Sequence, residues 1–140
     1  MKALFLFSLL TSSVLADQVK NDTFSTSLDF AQVEFVEAKQ SSDKTWCFNT
    51  RVRHQDEGWE HYANVWKIHD LNDQQLGERV LLHPHDTEQP FTRSLCQVVI
   101  PENISKVVVS AECNLHGDGG QVVVLDLTTS KGLNYTVKHY

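Results

Sequence analysis

The sequence lacks several features that mark common functional classes. After residue 16 it has no long apolar run, so no later segment is expected to cross a membrane. It carries a net charge of −6 without a basic cluster, which argues against nucleic acid and anionic membrane surfaces as partners. It has no glycine-rich loop between a strand and a helix for binding phosphate, and Ser94 lacks the flanking glycines of a hydrolase nucleophile.

The sequence also lacks the 3.6-residue spacing of apolar side chains that an amphipathic helix requires. Short segments of alternating apolar and polar residues take its place, separated by turns rich in proline, glycine and asparagine. Strands are predicted over residues 28–37, 44–54, 61–70, 76–82, 91–100, 104–113, 121–127 and 135–139. Seven to eight strands at this spacing indicate an all-β fold, an antiparallel β-sandwich.

The N-terminus has the pattern of a secretory signal peptide. Lys2 precedes the apolar run from Ala3 to Leu10, and small residues lead to Ala16. We therefore predict a signal peptide over 1–16, cleaved near Ala16, and a secreted or periplasmic protein. A flexible lead-in is predicted over 17–27 and a single β-sandwich domain over 28–140.

Cysteine is scarce and its count is odd. The three residues are Cys47, Cys96 and Cys113. Export favours disulfides, and an odd count leaves one thiol over. Pairing of Cys47 with Cys96 would free Cys113, but strand alternation argues mildly against it, because Cys47 shares a face with polar residues and Cys96 with apolar ones.

Histidine, in contrast, is abundant, with seven residues in 140. His54 and His61 flank one loop between strands, and His116 follows Cys113 by three positions. Loops at one end of a sandwich cluster together, so these side chains could converge. His69 and His139 are expected to lie apart from them.

Purely structural interpretations stand beside this one. Cys113 could be a buried, inert thiol, and His54 and His61 could be solvated beside their loop. His83-Pro84-His85 could order a turn by hydrogen bonding to carbonyls. Asp56, Glu57 and Glu60 are expected to form a solvated loop face.

Two segments resemble a known family. Glu60-His61-Tyr62 with Trp66 downstream, and Cys113-Asn114-Leu115-His116-Gly117, resemble the iron-binding domain of superoxide reductases (desulfoferrodoxin and neelaredoxin). That family reads Glu-His-His/Tyr, a nearby Trp, and Cys-Asn-x-His-Gly. The resemblance covers roughly residues 54–127. It implies an immunoglobulin-like sandwich and a ferrous ion held by four histidines and an axial cysteine thiolate.

The resemblance also implies a set of ligands. Cys113 matches the axial thiolate, and His116 and His61 match histidine ligands. His54 matches a third, with spacing one residue longer than in the family. The fourth family histidine lies near the N-terminus, where this chain has none, so a substitute would come from elsewhere. The predicted metal ligands are Cys113, His116, His61 and His54, with His83 or His85 as that substitute.

Two functional hypotheses follow. In the first, the exported protein binds Fe(2+), and with a complete site it would be a superoxide reductase-like oxidoreductase. Copper and zinc use the same ligand types. In the second, it is a non-catalytic binding module that keeps the fold without a complete metal site. The expected ligand is a metal ion or small molecule, and the sequence identifies no protein partner.

Overall fold

A computed structural model describes residues 24–140, and this range forms nine β-strands and no helix. Eight strands start and end within four residues of their predicted bounds, and the ninth is the two-residue β8. The strands are β1 (Gln32–Gln40), β2 (Trp46–Arg53), β3 (Ala63–His69), β4 (Gln75–Val80), β5 (Phe91–Val98), β6 (Lys106–Cys113), β7 (Val123–Asp126), β8 (Lys131–Gly132) and β9 (Tyr135–Lys138).

The strands form two sheets, which confirms the predicted all-β sandwich. One sheet has the order β5-β2-β1-β9-β8 and the other the order β4-β3-β6-β7. All neighbours are antiparallel except β1 and β9, which run parallel. β9 pairs with β1 on one side and with the short β8 on the other.

The core lies between the sheets and is filled by the inward side of each strand. In β6, Val107, Val109, Ala111 and Cys113 are all buried, as expected for alternate positions of one strand. Trp66 of β3 is completely buried, and the facing sheet contributes large rings from Phe48 and Phe91, among others. Burial of these apolar side chains provides the main driving force for the fold.

The disulfide that strand alternation argued against is formed. Cys47 of β2 is bonded to Cys96 of β5, and Cys113 remains a free, buried thiol. Leu95 and Val98 both point inward because a β-bulge near Gln97, with φ of 58°, inserts an extra residue between them. Cys96 therefore faces outward with Cys47, and simple alternation failed at the bulge.

Candidate metal centre

Three predicted ligands meet at one end of the sandwich. The ligand atoms of His54, His61 and Cys113 all lie within 4.8 Å of one another, and all three residues are buried. The Nε2 atoms of the two imidazoles are 3.2 Å apart, with the rings edge to face. This arrangement differs from the interpretation in which the two histidines are solvated beside a loop.

Strand pairing positions these side chains. His54 directly follows β2, and Cys113 is the last residue of β6, paired with Ala63 at the start of β3. A bulge lies between Ala63 and Val65 in that pairing. Regular alternation would place His61 and Trp66, five residues apart, on opposite faces of the strand. The extra residue at the bulge shifts the alternation by one position, so His61, Ala63 and Trp66 are all buried.

The backbone carbonyl of Asp29 closes the cluster from the segment before β1. Its oxygen is 3.2 Å from His54 Nε2 and 3.3 Å from His61 Nε2. The Cys113 thiol donates to the same oxygen at 3.4 Å. One neutral oxygen is therefore nearly equidistant from the two nitrogens and the sulfur.

Asp56 fixes the orientation of His54. Its Oδ1 is 2.6 Å from His54 Nδ1 and accepts from the Ala63 backbone N–H, and its Oδ2 accepts from the His85 backbone N–H. Burial alone would raise the pKa of Asp56, but the hydrogen bonds from His54, Ala63 and His85 outweigh it and hold that pKa below its usual value. The ionised carboxylate keeps a proton on His54 Nδ1. In the neutral ring, Nε2 then presents a lone pair to the cluster.

His116 lies at the exposed side of the cluster. Its ring is edge to face with that of His61, the centroids 4.9 Å apart, and its backbone N–H donates to Cys113 Sγ at 3.2 Å. A tight turn makes this contact, with Gly117 at φ of 69°. Asp29, His61 and His116 form a second group whose ligand atoms lie within 4.8 Å of one another.

The donor set fits a transition-metal ion. Two nitrogens that bind one ion at about 2.0–2.1 Å with tetrahedral angles lie about 3.3–3.4 Å apart, and the observed 3.2 Å is close to that value. Imidazole and thiolate both suit zinc, copper and iron. A metal-binding histidine usually donates its other ring N–H to a carboxylate or carbonyl, and Asp56 accepts from His54 Nδ1 in this way.

His83 and His85 are absent from both groups of candidate ligands in the part of the chain that the structure describes. His83 is exposed, and its Nδ1 donates to the Pro84 carbonyl at 2.9 Å. The His85 ring is buried and stacks on Phe91, with centroids 3.8 Å apart. Neither ring nitrogen of His85 has a hydrogen-bond partner.

Protonation of His85 is expected to destabilise the fold. Burial, with Arg93 and His83 nearby, lowers the pKa of His85. The unfolded chain therefore binds more protons in the window from that lowered pKa up to about 6.5, and stability falls as the pH drops through this window. His85→Phe keeps a ring stacked on Phe91 and should make the free energy of unfolding less dependent on pH in this window. Urea unfolding of the parent protein and of His85→Phe from pH 8 to pH 5 measures this dependence. The same dependence in the two proteins would contradict the prediction.

Sequence reasoning missed two residues of the site. Asp56 was expected on a solvated loop face, but it is buried because it accepts hydrogen bonds from three directions. Its position two residues after His54, a predicted metal ligand, was the feature of the sequence that could have indicated a role for Asp56 in the site. Asp29 contributes through its backbone carbonyl, which the identity of its side chain could not indicate.

His69 and His139 lie apart from the cluster, as predicted. His69 Nε2 is 3.5 Å from Ser110 Oγ, and His139 packs on Trp46.

Asn114 ties the cysteine turn to the loop that carries His61. Its side chain accepts from the Tyr62 backbone N–H and donates to the Trp59 carbonyl, both at 2.9 Å. Its backbone N–H donates to the Tyr62 carbonyl at 3.1 Å. These three bonds hold the His61 loop against the end of β6.

Comparison with known proteins gives two similarities. No protein-family model matches the chain. The chain is 34% identical over 108 residues to a protein of Halomicrobium mukohataei named "Putative lipoprotein", covering 76% of this chain and 53% of that protein. The chain thus spans about half the length of that relative.

The second similarity is structural. The superoxide reductase (1Fe-SOR) from Giardia intestinalis aligns with a TM-score of 0.44 and 18% identity, over 69% of this chain and 99% of that one. Within residues 24–140, no helix is long and apolar enough to span a bilayer.

Proposed function

We propose that this protein binds one transition-metal ion through His54, His61 and Cys113. The observation that carries the proposal is the convergence of two imidazole nitrogens and a thiol sulfur within 4.8 Å in a buried position. In the structure these atoms contact one another and the Asp29 carbonyl oxygen. A cation among them would bind the lone pairs of both nitrogens and of the sulfur.

The surrounding residues prepare these ligands for a metal. Asp56 holds the His54 proton on Nδ1, which leaves Nε2 free to bind. The His116 backbone N–H points at Cys113 Sγ and stabilises the thiolate, the form of cysteine that binds metals. When bound, a redox-active ion would supply one-electron chemistry at a site shielded from solvent.

Iron with superoxide reduction is a second candidate, favoured by the second group of ligands. His116 and the Asp29 carboxylate lie beside His61 and could extend the ligand set. The resemblance of the Cys113-Asn114-Leu115-His116-Gly117 segment to superoxide reductases supports the same candidate. Two of the four histidines in that family's site would then be His54 and His61, with His116 as a third. This candidate predicts that His116→Ala weakens Fe(2+) binding.

We also propose that the protein is exported and forms one domain over 28–140. The predicted signal peptide over 1–16 and most of the predicted lead-in over 17–27 lie outside the described residues. The similarity to the Halomicrobium mukohataei protein supports export, because that protein's name describes a lipoprotein. The two sheets share one core, which supports a single domain.

Calorimetric titration with Zn²⁺ under anaerobic conditions tests metal binding. Zinc suits the imidazole and thiolate donors and does not oxidise cysteine. We expect one zinc per chain. Cys113→Ser and His61→Ala should each weaken binding by more than the roughly 10–100-fold that loss of an outer partner causes.

His83→Ala is the matched control, since His83 is exposed and lies outside both candidate groups, and it should bind zinc as the parent does. Absence of stoichiometric zinc binding would contradict the proposal. The protein would then be better described as a binding module without a metal site. Equal affinities for the parent and Cys113→Ser would also contradict it, because the sulfur would not be a ligand.

A further inference from the structure

We infer that the cluster is a copper site of the electron-transfer kind, an inference that rests on the proposed metal binding and names its metal. Two imidazoles and one thiolate, with a weak backbone carbonyl as fourth neighbour, form the ligand set of blue-copper sites. The described residues supply this set as His54, His61, Cys113 and the carbonyl of Asp29.

The position of the Asp29 carbonyl oxygen is the feature that favours copper over zinc. It lies 3.2 to 3.4 Å from both nitrogens and the sulfur, so it covers the open side of the three-donor cluster. A neutral carbonyl there is a weak ligand. Structural zinc sites use four strong ligands, and catalytic ones leave the fourth position to water.

The iron site implied by the sequence resemblance needs four imidazoles, and the cluster buries only two. His116 is exposed, and its ring meets the edge of the His61 ring. This geometry places His116 beside a ligand, between the buried cluster and solvent. In general, copper also binds nitrogen and sulfur donors more tightly than zinc or ferrous iron does.

Burial suits reversible electron exchange. His54 is 1% exposed, Cys113 2% and His61 8%, so a bound ion would be shielded from solvent. With ascorbate as the one-electron donor, a copper ion held by these residues would pass from Cu(II) to Cu(I), and with ferricyanide as the acceptor it would return to Cu(II). No bond to the protein need break, and no proton need move. The exposed ring of His116, edge to face with that of His61, offers a route for that electron from the surface.

Anaerobic loading with Cu(I), followed by oxidation with ferricyanide, tests the assignment. We expect one copper per chain, an intense thiolate-to-copper band in the visible spectrum and a narrow copper hyperfine splitting in electron paramagnetic resonance. Ascorbate should bleach the band and ferricyanide should restore it. The band should be absent in Cys113→Ser and retained in His116→Ala.

Three results would overturn the copper assignment. The first is bound Cu(II) with no thiolate band and the wide hyperfine splitting of an ordinary tetragonal site. The second is a thiolate band that disappears in His116→Ala. The third is preferential retention of Fe(2+) over Cu(I) in a competition experiment. Zinc binding without the copper spectrum would leave the proposed metal site standing, whereas failure of both metals to bind would remove both proposals.

Discussion

Replacing Asp56 with alanine is expected to lower the free energy of unfolding by at least about 3 kcal/mol, because it leaves three buried donors without an acceptor at about 1–3 kcal/mol each. Those donors are His54 Nδ1 and the backbone N–H groups of Ala63 and His85. A loss of this size is a large part of the stability of an ordinary domain. Urea unfolding of the metal-free variant measures it directly.

Two comparisons show whether the carboxylate itself is responsible. Asp56→Asn keeps one side-chain oxygen and should lose less stability, but it no longer holds the His54 proton as a carboxylate does. Its zinc affinity should fall by roughly 10–100-fold. Glu57→Ala removes an exposed carboxylate in the same loop and should change stability by less than about 0.5 kcal/mol. Similar losses for Asp56→Ala and Glu57→Ala would contradict the role of Asp56.

Gly120→Ala is expected to disrupt the segment that brings Asp29 to the cluster. A Cβ at Gly120 would fall inside contact distance of the Ala31 carbonyl oxygen, and only 2.8 Å from Gln32 Nε2. Around this point, Gln121 N–H donates to Gln32 Oε1, and Val33 N–H donates to the Gln121 carbonyl. A backbone carbonyl cannot rotate away, so the loss should be near the upper end of the roughly 1–3 kcal/mol typical of overpacking.

The effect on binding distinguishes Gly120 from a glycine elsewhere. Displacement of Ala31 would move the Asp29 carbonyl two residues before it, so Gly120→Ala should also weaken metal binding. Gly77→Ala, in β4, would meet mainly the Leu95 side chain at 3.1 Å, which can shift. It should lose less than about 1.5 kcal/mol and keep the parent affinity. Equal effects of the two substitutions on stability and binding would contradict this picture.

The sequence was sufficient for the sandwich because regular alternation survives in most strands. In β6, the side chains from Val107 to Cys113 alternate without interruption, so its buried face could be predicted. Prediction failed where a bulge changes the phase. The bulge near Gln97 turned Cys96 toward Cys47, and the bulge after Ala63 turned His61 inward. A bulge depends on pairing between strands, so local alternation does not reveal it.

The site was partly predictable for the same reason. His54 directly follows β2 and Cys113 ends β6, two strands whose alternation is clear, so both could be placed at one end of the sandwich. Asp56 could not be recognised as buried, because its three donors come from β3, from the His85 loop and from His54. The Asp29 carbonyl is a backbone group whose position depends on packing of the segment before β1. His83 and His85 share the ligand type but lie outside both candidate groups.

X-ray absorption spectroscopy of the zinc-loaded protein tests most directly whether His54, His61 and Cys113 hold one ion. We predict a first shell with one sulfur at about 2.3 Å and imidazole nitrogens at about 2.0–2.1 Å. The sulfur contribution should disappear in Cys113→Ser. A first shell of nitrogen and oxygen alone in the parent protein would contradict metal binding at this cluster.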